Sequence, residues 1–125
     1  MTNNHELITR ITSDFSVQGN LIPVKYLYYH GSGEPYIVWM QETMDGSISG
    51  DDELLGAVEF YDFDIYSRSN YLEIQEKLID LLKGYGFKYQ PARNSADQYE
   101  TDTRYYHKTL SFAILTSYCD GEISQ

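Results

Sequence analysis

Chemistry in this chain would have to come from a handful of side chains, and each set falls short of a site by its spacing. The run Asp45-Gly46-Ser47-Ile48-Ser49-Gly50 puts oxygen-bearing residues at the first, third and fifth positions of a calcium loop and glycine at the sixth. The closing position of such a loop needs a bidentate glutamate, and Gly56 stands there. His5, His30 and His107 share no metal-ligand spacing, and none pairs with the single cysteine, Cys119. They read more simply as surface or strand histidines. His30-Gly31-Ser32-Gly33 has the parts of a nucleophile or oxyanion loop but lacks the Gly-x-Ser-x-Gly frame, and it sits where a turn is expected. Asp62 and Asp64 would lie about 6–7 Å apart on one strand face. Paired carboxylates can support acid–base catalysis, yet a solvated sheet face accounts for them with fewer demands. Gly84-Tyr85-Gly86 follows a helical stretch where a phosphate loop would open one. The sequence therefore predicts no catalytic residue, no cofactor and no metal.

The elements that would carry these residues are clearest from Ala57 to Phe87. Tyr61, Phe63 and Ile65 alternate, so an extended chain puts them on one face with Asp62 and Asp64 on the other. Ser67-Arg68-Ser69-Asn70 makes a turn, with Asn70 and Glu73 spaced as a helix cap. Tyr71, Ile74, Leu78, Leu81 and Leu82 then recur at helical spacing until Gly84 and Gly86 stop the helix. Upstream, Leu7, Ile8, Ile11 and Phe15 mark an amphipathic helix over residues 4–15. Ile22 to His30 and Tyr36 to Met40 read as two strands of an antiparallel hairpin around Gly31–Pro35, with apolar groups on both faces. Tyr105 to Leu115 is the last strong strand and pairs with Phe87–Gln90 across a long loop. Residues 44–56 and 91–102 are expected to be mobile loops, and 1–3 and 120–125 to be frayed. The expected fold is α+β, a single domain over 1–125. It has a mixed, largely antiparallel sheet of about four to five strands with two helices packed on one face.

At 125 residues the chain is long enough to bury roughly two-thirds of its unfolded surface. Thirteen tyrosines stand beside five phenylalanines and one tryptophan. A tyrosine ring is apolar while its hydroxyl can stay wet, which suits both strand surfaces and protein interfaces. Nine basic residues against nineteen acidic ones give a net charge of −10. From Tyr26 to Ser67 there are nine acids and no Lys or Arg. Such a surface repels phosphates, so neither specific nucleic-acid binding nor attachment to an anionic membrane is expected. One cysteine allows no internal disulfide and agrees with a reducing compartment. With no cationic, apolar start and no apolar run of about 20 residues, the sequence predicts a soluble protein made in the cytoplasm.

The order of elements is itself distinctive. A short helix precedes an aromatic pair of strands and an acidic loop. Tyr61-Asp62-Phe63-Asp64-Ile65-Tyr66-Ser67, Asn70-Tyr71, a helix and Gly86-Phe87 follow, and the chain closes on Asp102-Thr103-Arg104-Tyr105-Tyr106-His107-Lys108-Thr109-Leu110-Ser111-Phe112. Over residues 5–115 this resembles the tail-completion, or tail terminator, proteins of long-tailed phages and prophages. The resemblance implies a non-enzymatic virion protein of the tail and neck, made in the bacterial host cytoplasm. It would assemble as a homo-hexameric ring, cap the tail tube protein and meet the head connector or neck protein. By the same analogy, the loop with Asp45, Asp51, Asp52 and Glu53 would face the tube lumen or touch the tube. Tyr26, Tyr28, Tyr36, Trp39, Tyr105 and Tyr106 are the candidate subunit contacts. The acidity and the tyrosines suit a second role equally well, a small acidic binding module such as an immunity-type inhibitor of a basic toxin.

Overall fold

The computed structural model describes residues 4–31, 33–42, 46–50, 53–69 and 71–117. Asn70 and its expected cap lie outside these residues, as do both chain ends. The helix α1 spans Asn4–Ile11. It ends earlier than the apolar spacing predicts: the Thr12 hydroxyl donates to the Ile8 carbonyl at 2.6 Å, and Phe15 reaches the core from the following turn. Next come β1 (Ser16–Val17) and β2 (Asn20–Leu21), a two-stranded sheet of its own. Gln18 and Gly19 between them both have positive φ, 53° and 81°, as a two-residue hairpin turn requires.

The main sheet is built from β3 (Val24–Tyr26), β4 (Tyr36–Gln41), β5 (Gly46–Gly50), β6 (Glu53–Ser67), β7 (Lys88–Tyr89), β8 (Gln98–Glu100) and β9 (Tyr105–Ser117). Its central order is β3-β4-β6-β9-β7, with β5 on β6 and β8 on β9. The fold is α+β and the sheet mixed, with seven strands among the described residues where the sequence suggested four to five.

Two of the extra strands come from segments that read as loops. Gly46–Gly50 pairs with the start of β6 as an antiparallel hairpin, and Gln98–Glu100 pairs with Tyr105–His107. Residues 91–93 form a 3-10 turn. The predicted antiparallel hairpin is corrected too: β3 and β4 are parallel, Val24 opposite Ile37 and Tyr26 opposite Trp39. Leu27 takes φ 72° just after β3 ends, and β4 begins at Tyr36 in the same direction as β3.

The helix α2 (Leu72–Gly84) follows the predicted period and buries Ile74, Leu78 and Leu82. Its stop is specified by Gly86, at φ 98°. There the Gly86 amide donates to Lys83 and the Phe87 amide to Leu82, which closes the last turn and folds buried Phe87 back under it. The same core holds Ile8 and Ile11 of α1 and the alternate strand residues Ile37, Trp39, Tyr61, Phe63, Ile65, Leu110 and Phe112. Because those strand residues share one side of the sheet, both helices pack on one face. Antiparallel pairing of Lys88–Tyr89 with Phe112–Ala113 brings β7 to β9, as the sequence reading expects.

Candidate interaction surface

The sheet face opposite the helices carries the residues between the core positions of β4, β6 and β9. Rings cover one end of it. Tyr29, from the loop after β3, stacks on Tyr36 at 4.6 Å between ring centres, Tyr36 on Tyr66 at 4.9 Å, and Tyr66 on His107 at 4.3 Å. Tyr105 meets Tyr36 and Tyr66 edge-on, with the Arg68 guanidinium 4.8 Å above its ring. Offset and edge-on contacts of this kind each add about 0.5–1.5 kcal/mol beyond burial.

Acids occupy the middle. Asp64 accepts a hydrogen bond from the Thr109 hydroxyl at 2.6 Å, and the His107 Nε2 lies 3.7 Å from it. Asp62 sits beside Glu42 and Ser111, with its Oδ1 buried and accepting no hydrogen bond. Burial first, and then Glu42, push its carboxyl up to about 7, against a lesser lowering by Ser111. Beyond Asp62, Arg93 reaches across the face, ion-paired with Glu42 and 4.2 Å over the Phe60 ring. Asp62 is therefore a half-buried acid beside a second carboxylate, not a carboxylate on the solvated face that the alternation alone suggested. On Tyr66, burial and then Asp64 raise the hydroxyl to about 12, which keeps it neutral.

The tyrosines singled out in the sequence divide among different surfaces. Tyr36 and Tyr105 meet in the ring stack. Tyr26 is 45% exposed and packs on Trp39 and His5 at the other face, where it borders a groove of about 320 Å³ with Glu6, Thr9 and Arg10. Tyr28 is exposed against His30, and Tyr106 packs on Tyr99 and Tyr71. Trp39 is 1% exposed and belongs to the core, so it is withdrawn as a subunit contact. Its strand carries apolar residues on both faces, which hid the direction of the core. His5 bonds Gln41 at 2.8 Å within a ring cluster with Tyr26, Trp39 and Tyr61. Asp45, Asp51 and Asp52 lie outside the described residues, and Glu53 begins β6 opposite Gly50 of β5.

The β5–β6 hairpin extends an arm from the sheet. β4 occupies the rungs of β6 from Tyr61 to Tyr66, and β5 takes over on the same side from Val58 to Glu53. On the other side β9 continues to Gly56. Sequence reasoning missed this arm because a polar, glycine-rich strand has no alternating apolar signal. It also missed Glu42, Arg93 and Tyr29, which reach the open face from distant segments.

Among the described residues, no three His, Cys, Asp or Glu side chains are placed to hold a metal ion. No described helix is long and apolar enough to cross a membrane. The chain matches no protein-family model and no curated protein.

Proposed function

We propose that this chain is a structural virion protein, a tail terminator that caps the tail tube as a ring and joins the tail to the head connector. The reading starts from the resemblance over residues 5–115. The observation that carries it in the fold is the arm: a fifteen-residue strand outruns its neighbour β4 and is flanked there by β5 and the end of β9, whose outer edges pair with no strand among the described residues. Such edges serve assembly between copies, and the chain's net charge of −10 suits a wall past which DNA slides without sticking. In this role the protein performs no catalysis and needs no cofactor. Its partners are five further copies of itself, the tail tube protein and the neck. Deletion of the gene from its phage is expected to give tails of uncontrolled length and unattached heads. Normal virions from that deletion would overturn the assignment.

One observation favours a second reading. Glu42, Asp62 and Asp64 gather beside aromatic rings on the open face, a surface that an immunity-type inhibitor would turn towards a basic toxin. A one-to-one complex with such a toxin, and no assembly of the chain itself, would select it.

A further inference from the structure

Unpaired strand edges attract other strands unless charge, proline or cover protects them. Most edges of this sheet are protected. β3 carries Lys25 and follows Pro23, β7 carries Lys88 and precedes Pro91, and β8 carries Glu100 and follows Asp97. Two edges among the described residues have neither charge nor proline within the strand itself, although Asp45 and Asp51 flank the first of them in sequence. β5 reads Gly-Ser-Ile-Ser-Gly, and residues 114–117 of β9 read Ile-Leu-Thr-Ser, with Leu115 59% exposed. Among the described residues no strand pairs with the outer edge of either.

Both edges flank the same stretch of β6. Val58 is opposite Gly46 on one side and Leu115 on the other; Gly56 is opposite Ile48 and Ser117. The arm is therefore a three-stranded ribbon open on both sides at the same height. β5 and β9 each run antiparallel to β6, so they run parallel to one another. A second copy set beside the first in the same orientation lays its β5 along the first copy's β9. Two-fold pairing of β9 with β9 would leave every β5 edge exposed, whereas the head-to-tail contact uses both edges of every copy and leaves none when a ring closes.

We infer that neighbouring copies of this chain join through their arms, the Gly46–Gly50 edge of one pairing in parallel with residues 114–117 of the next. The inference rests on the ring reading above and specifies which backbone builds the ring.

Cross-linking of the full chain tests it, with Cys119→Ser as background. Adjacent strands lie about 4.8 Å apart, within the roughly 4.4–6.8 Å Cα separation a disulfide spans. Protein carrying Ser49→Cys is mixed with protein carrying Leu115→Cys or Ser117→Cys, and protein carrying Ser47→Cys with protein carrying Thr116→Cys, so that both positions of each pair fall on one face by register; the mixtures are oxidised mildly and run on a non-reducing gel. One mixed pair is expected to yield several-fold more covalent dimer than either partner alone. In parallel, Leu115→Lys is expected to abolish the oligomer seen by analytical ultracentrifugation while leaving the far-UV circular dichroism unchanged. Oligomers that form without any mixed cross-link, or that survive Leu115→Lys, overturn the arm pairing and leave the ring reading standing. Dominant self-linking of Leu115→Cys overturns it in favour of a two-fold contact. A wild-type chain that stays monomeric both alone and on tail tubes overturns both.

Discussion

Around Asp62, burial and the neighbouring Glu42 favour the protonated carboxyl up to about 7, well above the ordinary value of 3.8. Between those two values the folded chain holds a proton that the unfolded chain has released. This group therefore makes stability fall as pH rises through that window, with no further loss above it. Because the site is partly open to solvent, the effect is discounted to about 1–2 kcal/mol. Asp62→Asn is expected to be more stable than the wild type by that amount at about pH 8 and nearly equal to it at about pH 4, read by urea unfolding at both pH values. An unchanged difference across pH would show that Asp62 ionises freely. The alternation of Tyr61, Phe63 and Ile65 with Asp62 and Asp64 was legible from side-chain type alone, since period two fixes opposite faces. The raised proton affinity was not, because it depends on burial and on Glu42, which comes beside Asp62 only in the folded sheet.

The helix α2 shows how an element can be read almost completely from sequence. Its apolar period supplies the buried face, and Gly86 supplies the left-handed residue that ends it. A Cβ added at Gly86 meets nothing within 4 Å, so Gly86→Ala should cost only the backbone strain, about 1–2 kcal/mol. Gly84 lies inside the helix with equally open space, and Gly84→Ala should instead stabilise by about 0.4–1 kcal/mol. Opposite shifts in thermal midpoint for the two variants check the capping account. Leu78 is fully buried, and Leu78→Ala should cost about 2–5 kcal/mol in urea unfolding. The strands were less legible. β3 and β4 look like a hairpin because glycine and proline separate two aromatic runs, but they pair in parallel, with Leu27 at positive φ just after β3. β5 exists through its pairing with β6, and neither its residues nor its length carries that information.

At the scale of the whole molecule, the acid excess opposes any contact between copies, and salt at about 0.1 M screens it beyond roughly 10 Å. Association of the chain with itself should therefore strengthen as salt is raised, while a complex with a basic toxin would weaken. Sedimentation across a salt series separates the two readings by sign. Composition made the acidity and the tyrosine excess plain. Where the tyrosines would go was hidden, because Tyr36, Tyr66 and Tyr105 meet only once β4, β6 and β9 are side by side. Assembly through open strand edges, with no bond-making role, is the claim on which the account stands. Electron microscopy of the purified full chain, alone and mixed with tail tubes, tests it most directly. The account predicts six-fold rings, free or seated on tube ends; bare tube ends with only single subunits in solution would contradict it.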